Sequence, residues 1–274
     1  MLGYNHMKST TFGIIGAGVM GTALCENLIN KKVARPGQIF ICDRDEECAH
    51  AFSKRYGVRS KNAREIVSLC DYILLAIKPQ DFDMLGTQIK SSVCKKSIVL
   101  SIMAGITLQR LRRCLGHERV VRAMPNLAAR VGAAMTVYKI GFLSSPKEQK
   151  VIGSIFSSFG AIECVSQESL LDAATAISGS GPGYVYLFME YLIREAEKIG
   201  FTRSQAERIV AQTFDGAINA IKESGETPEA MRAKVASKRG TTEAAFNSFK
   251  KDKFSVIIAH AVRAAYNRSK KLSQ

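Results

Sequence analysis

A glycine-punctuated stretch at 11–43 constrains this chain more than any other feature. Phe12, Gly13, Ile14 and Ile15 read as a short buried strand and lead directly into Gly16-Ala17-Gly18-Val19-Met20-Gly21. Residues 22–30 then continue at helical spacing. The unit is strand, turn and helix. Gly16 permits the tight turn, Gly18 lets the backbone approach a pyrophosphate, and Gly21 lets the helix pack closely on the strand. Phosphates would sit on the helix N-terminus, where unpaired N–H groups and the dipole favour an anion. A second apolar strand over 38–42 ends in Asp43, 22 residues after Gly21, where an acid suits a ribose diol. Together these features point to dinucleotide binding.

The pattern repeats beyond Asp43. A polar-faced helix is expected over 45–56, a weak strand from 57–58 and a short helix over 63–69. Apolar strands follow at 71–77, 98–101 and 120–123, then a strand at 133–138, a helix at 146–158 and a last strand at 161–165. Alternation of this kind makes the class α/β with a mainly parallel sheet. Ligands in such sheets bind beyond the carboxyl ends of the strands. The loops that matter are therefore 16–21, Asp43-Arg44, Lys78-Pro79, Ala104-Gly105 and Met124-Pro125-Asn126.

After about Ser166 the strand-like runs stop and helical periods take over, which divides the chain into 1–166 and 167–274. A helix over 168–178 meets Ser178-Gly179-Ser180-Gly181-Pro182-Gly183, a break expected to kink a long helix. Its continuation over 184–199 is apolar on several faces and needs cover, which a partner chain would supply. Thr202 with Gln205 forms a capping box, and Thr227-Pro228 starts another helix; the last helix covers 254–271. Between helices lies Ser237-Lys238-Arg239-Gly240-Thr241-Thr242. Two readings stand for it: a carboxylate site at a helix N-terminus, or a threonine that merely caps the helix.

The formal charge is +15, but lysines and arginines are scattered and no aromatic platform interleaves them. That describes a solvated basic surface attractive to anionic ligands, and no nucleic-acid partner is expected. Seven cysteines without a C-x-x-C pair and four scattered histidines imply neither a disulfide framework nor a metal site, and suit a reducing cytoplasm. The long uncharged runs are interrupted by glycines, so no membrane span is expected. Residues 1–7 lack the pattern of a secretion signal and read as a loose leader.

Five motifs occur in a telling order: FGIIGAGVMG at 12–21, AIKPQ at 76–80, VRAMPN at 121–126, SGSGPGY at 178–184 and VASKRGTTEAAF at 235–246. In these the chain resembles the pyrroline-5-carboxylate reductases. The resemblance implies a Rossmann-type domain followed by an all-helical dimerisation domain, in dimers that often form larger rings with the active site between subunits. It implies hydride transfer from NAD(P)H to the imine carbon of 1-pyrroline-5-carboxylate, giving L-proline. Carried over by residue, Val235, Ser237, Gly240, Thr241 and Thr242 would form the loop that holds the substrate, with Thr242 beside the ring nitrogen. Gly16, Gly18, Val19, Met20 and Gly21 would hold the pyrophosphate. Arg44 and Asn62 would meet the adenosine end, and Ala76, Lys78, Pro79, Ala104 and Gly105 the nicotinamide side; Asp43 and Asn126 complete the cofactor-binding set.

Cofactor choice turns on two neighbours. Asp43 can accept from ribose hydroxyls and favour NADH, whereas Arg44 can pair a 2′-phosphate, and the net charge tilts the balance towards NADPH. Lys238 and Arg239 depart from the family's usual proline and glycine. A glycine there can use φ > 0, which arginine tolerates badly. Either the turn is remodelled or the guanidinium adds a cation near an anionic substrate. Gly183 and Leu127 replace a common alanine and threonine. A dinucleotide-binding protein without turnover is the alternative from a different class.

Overall fold

The structure, a computed structural model, describes residues 9–273; the expectation for residues 1–7 lies outside them. Two compact units make up the chain. The first runs to Ser180 and regains the segment from Ala265 onward, and the second is Gly181–Ala264.

The first unit holds β1 (Phe12–Ile15), β2 (Ile39–Cys42), β3 (Arg59–Ser60), β4 (Tyr72–Leu75), β5 (Ile98–Ser101), β6 (Val120–Met124), β7 (Ala134–Ile140) and β8 (Gly160–Cys164). They form one sheet in the order β3-β2-β1-β4-β5-β6-β7-β8, parallel except where β7 runs against β6. Between the strands lie α1 (Val19–Asn30), α2 (Glu46–Tyr56), α3 (Ala63–Leu69), α4 (Phe82–Ile89), α5 (Leu108–Leu115) and α6 (Pro146–Ser157). Every residue of β1, β2, β4 and β5 is buried, as expected for strands covered on both faces. Alternate residues feed two separate cores. Phe12, Ile14 and Ile41 pack with Leu24 and Leu28 of α1, while Ile15, Phe40 and Leu75 pack with Ile66 and Val67 of α3. Strand order reverses at β1, and a crevice at such a switch point is where an open α/β sheet binds its ligand.

Local signals explain the helix boundaries. Asp45 caps α2 by accepting from the Cys48 N–H, and Gly57 closes it in the left-handed region at φ 68°. That turn delays the start of the weak strand, expected at 57–58, to Arg59, and the strand is Arg59–Ser60. The helices α4 and α5 have no counterpart in the sequence reading. Yet α5 carries a clear signal: buried Leu108, Leu111 and Leu115 lie between a Thr107 cap and a left-handed Gly116.

The segment at 178–183, expected to kink a long helix, is built around a single π turn. Helix α7 (Leu170–Ala174) passes into one π turn, Thr175–Gly179, closed by the Ser180 N–H on the Thr175 carbonyl at 2.8 Å. The chain is helical again from Gly181, so of these glycines only Gly179 lies in the widened turn, and Gly181 and Gly183 already belong to the next helix. Nearby, buried Arg122 of β6 donates to Glu168 at 3.1 Å, Asp172 at 2.9 Å and Ser273 at 3.2 Å. Asp172 also accepts from Ser273 at 2.7 Å and Ser269 at 3.4 Å. One guanidinium thus gathers the strand, α7 and the C-terminal segment.

The second unit comprises α8 (Gly181–Lys198), α9 (Arg203–Ser224), α10 (Pro228–Val235), α11 (Thr241–Lys251) and the first part of α12 (Phe254–Leu272). The Thr202–Gln205 capping box and the Thr227-Pro228 start are formed as the sequence predicts. Ile193, Ala206 and Val210 join α8 to α9, and Phe188 meets Phe214 and Phe254 edge-on or tilted. Most of α8 is nevertheless open in the single chain: Tyr186 is 58% and Tyr191 53% exposed, and only Ile193 is buried. Among the described residues no cluster of metal-ligating side chains exists, and no helix is long and apolar enough to cross a membrane.

Candidate active site

The three glycines of the first turn have three different steric jobs. Gly16 sits at φ +109°, and a Cβ there would lie 2.6 Å from the Ala76 carbonyl oxygen. A Cβ on Gly21 would overlap the carbonyl oxygen of Gly16 itself, so only glycine lets α1 approach the turn. At Gly18 a Cβ would meet nothing within 4 Å. Gly18 is also the N-cap of α1, and no side chain caps the helix's first N–H groups. The turn therefore fits a pyrophosphate, offering open backbone at a positive helix end.

Beyond it lies a cleft of about 790 Å³ lined by Gly16, Gly18, Asp43, Arg44, Asn62, Ala76 and Lys78, together with further residues of α2, α3 and α4. The structure thus gathers seven of the sequence-predicted cofactor residues around one volume. Val19, Met20 and Gly21 belong to the first turn of α1, and Pro79 opens a short 3-10 turn, Pro79–Asp81.

Asp43 is occupied differently from a ribose acceptor. One carboxylate oxygen accepts from the Ala17 N–H at 2.6 Å and the other from the Asp45 N–H at 3.0 Å. The carboxylate thereby pins the glycine turn to the end of β2. Arg44, by contrast, is 79% exposed and only 3.8 Å from Asp81, too far for a hydrogen bond. Its guanidinium remains available to an anion in the cleft. Asn62 caps α3, exchanging hydrogen bonds with Glu65 at 3.0 and 2.8 Å. Lys61, and then the Asn62 N–H, hold the Glu65 carboxyl below its ordinary range. Burial, reinforced by the Asp43 charge, pushes the Cys42 thiol up to about 12, so this side chain of the lining stays a neutral thiol.

Like Val19, Met20, Gly21 and Pro79, the remaining three predicted cofactor residues lie outside that lining. Gly105, at φ +76°, is overlain by the end of α12: a Cβ would stand 2.5 Å from the Leu272 carbonyl oxygen. Ala104 precedes it in the same loop. Asn126 donates to the Ser178 carbonyl at 3.0 Å and accepts from the Ala128 N–H at 3.2 Å, tying the loop after β6 to the π turn. Sequence reasoning missed that tie and the Arg122 cluster, although both residues stand in the VRAMPN motif.

Val235, Ser237, Gly240, Thr241 and Thr242 all fall in the second unit, at the end of α10, in the loop and at the start of α11. Gly240, not a threonine, is the N-cap of α11, and no side chain caps this helix end. The Gly240 N–H donates to the Ser237 carbonyl at 2.9 Å, and a Cβ on Gly240 would run into the Ser237 hydroxyl. Arg239 takes the left-handed conformation at φ +60° despite its side chain. The turn is kept, and the strain falls on the arginine.

Comparison with known proteins joins the two halves. Residues 168–272 match the family model "Pyrroline-5-carboxylate reductase dimerisation", and residues 11–105 match "NADP oxidoreductase coenzyme F420-dependent". The pyrroline-5-carboxylate reductase of Escherichia coli (strain K12) is 34% identical, over 96% of this chain and 98% of its own. That of Synechocystis is 36% identical, over 97% and 99%. The crystal structure of Plasmodium falciparum pyrroline carboxylate reductase with NADP bound superposes with a TM-score of 0.87 at 29% identity, covering 98% of this chain and 100% of that one. Near-complete overlap in length, at these identities, places both the glycine turn and the helical half in one family: the chain belongs to the pyrroline-5-carboxylate reductases.

Proposed function

We propose that this chain reduces 1-pyrroline-5-carboxylate to L-proline, the last step of proline biosynthesis, with NADPH as reductant. The observation that carries the reading is a pyrophosphate-shaped glycine turn in the same chain as a pyrroline-5-carboxylate reductase dimerisation segment. The dinucleotide, when bound, supplies the hydride that adds to the imine carbon, and the C=N pair passes to a nitrogen that already carries its proton. The chain's own residues bind and align. The N–H groups at the start of α1 hold the pyrophosphate, with Gly18 leaving room. Arg44 takes the 2′-phosphate, since both Asp43 oxygens are engaged with backbone, and Asn62 flanks the adenosine end. Ala76, Lys78, Pro79, Ala104, Gly105 and Asn126 bound the nicotinamide side.

The substrate carboxylate goes to the Ser237–Thr242 loop, where Gly240 leaves the first N–H groups of α11 uncovered by any side chain. The Thr242 hydroxyl orients the ring nitrogen. A protonated imine is already an electrophile, so alignment and exclusion of water matter more than a strong acid, and a hydroxyl is a poor one. The dinucleotide function belongs to residues 1–166 and the dimerisation and substrate-loop function to 167–274. The exposed apolar side chains of α8 support a dimer. Dimers gathered into rings, in a cytoplasmic setting, complete the reading.

Steady-state absorbance assays with both reduced cofactors test it. Wild-type protein should oxidise NADPH only when 1-pyrroline-5-carboxylate is present, and faster than NADH. Arg44→Ala should raise KM for NADPH by about 10–100-fold, the worth of a charge-assisted hydrogen bond of about 1.5–3 kcal/mol, and leave NADH little changed. Thr242→Ala should slow turnover by roughly 10-fold, short of the ~10²–10⁴-fold that loss of a general acid costs. Cofactor binding without turnover would sink the enzyme reading and favour a binding protein.

A further inference from the structure

We infer that Glu243 is a positioning residue for the substrate loop: its carboxylate holds Arg239 in the left-handed turn, and so leaves the start of α11 to the substrate. This rests on the reading above, in which the loop binds the substrate carboxylate. Arg239 is at φ +60°, where a Cβ crowds the backbone, and its neighbours must hold it there. Glu243 does so directly, accepting the Arg239 N–H at 2.6 Å. Glu243 is the third residue of α11, the position whose carboxylate in a capping box returns to the N-cap N–H. Here the N-cap N–H, that of Gly240, is already given to the Ser237 carbonyl. The carboxylate reaches one residue further back instead. Two consequences follow from that displaced bond. The loop is fixed from both sides of Gly240, and the one acidic side chain in the first turn of α11 is tied away from the N–H groups of Thr241 and Thr242.

Kinetics of the full-length protein with 1-pyrroline-5-carboxylate and NADPH test this. Glu243→Ala should raise KM for 1-pyrroline-5-carboxylate by about 10-fold, at the low end for losing a charged hydrogen bond, with KM for NADPH and kcat within about threefold of wild type. Glu243→Gln retains an acceptor and should stay within about threefold on all three. Adding Arg239→Gly to Glu243→Ala removes the crowding Cβ and should recover most of the lost KM. An unchanged KM for 1-pyrroline-5-carboxylate in Glu243→Ala, a parallel rise in both KM values, or no recovery in the double variant would overturn the inference. Failure of the wild type itself to turn over the substrate would instead strike the functional reading, and the inference with it.

Discussion

Replacing Arg122 with alanine should cost the first unit about 3–5 kcal/mol, the range for removing one partner of a buried ion pair. The side chain of Arg122 is only 4% exposed, and it answers two carboxylates at once, Glu168 at 3.1 Å and Asp172 at 2.9 Å. Removing it strands both. Glu168 would keep the Leu108 N–H at 2.8 Å, and Asp172 the hydroxyls of Ser269 and Ser273, which soften the loss without neutralising either charge. Urea unfolding monitored by circular dichroism measures the difference. Arg122→Met, which retains length without charge, should be destabilised nearly as much, because the stranded carboxylates and not the lost packing carry the cost. A loss under about 1 kcal/mol in both variants would mean that water reaches the cluster and that it behaves as a surface ion pair.

Gly21→Ala and Gly18→Ala should part company. At Gly21 the new methyl would overlap the Gly16 carbonyl oxygen, which is backbone and cannot swing aside, so α1 must shift. Displacing the helix end weakens the charged hydrogen bonds that its N–H groups would give the pyrophosphate, each worth about 1.5–3 kcal/mol, or roughly 10–100-fold in affinity. NADPH affinity should therefore fall by roughly that factor, accompanied by a lower unfolding temperature. At Gly18 the methyl meets nothing in the chain. Affinity should fall there as well, since the pyrophosphate needs the space, but with the unfolding temperature unchanged. Isothermal titration with NADPH beside thermal unfolding reads both. Equal loss of stability in the two variants would refute the division of labour among the glycines.

How much of this was legible beforehand depends on how local the cause is. The first turn could be read because most of its constraints are local: Gly16 turns at φ +109° and Gly21 lies against the Gly16 carbonyl five residues back, although the Ala76 carbonyl that also crowds Gly16 is distant in sequence. Helix starts were equally readable at Thr202 and Thr227, where the cap and its partner are three residues apart. Asp43 shows the limit. Its place at the end of β2 was correct, but the direction of its carboxylate depends on the Ala17 N–H, 26 residues away across the β1–β2 pair. Gly105 is similar: it looked like a ligand loop, yet its missing side chain is demanded by Leu272, brought close only by the return of α12. The antiparallel entry of β7 beside β6 leaves no mark on the residues of either strand. In the helical half, the sequence marks α8 as apolar on several faces and in need of a partner's cover, and one chain by itself leaves it open. Glu243 had a visible signal, a carboxylate three residues after a helix start, hidden only because Gly240 lacks the hydroxyl that completes the usual pattern.

The reaction assigned to this chain is the transfer of a hydride onto an imine carbon. The most direct measurement follows isotope: wild-type protein is given 1-pyrroline-5-carboxylate and NADPH deuterated at the transferable position, and the product is examined by mass spectrometry and NMR. The expected product is L-proline carrying one deuterium at the former imine carbon, with the α-carbon unlabelled. Unlabelled proline, label at another carbon, or consumption of the cofactor with no proline formed would contradict that assignment.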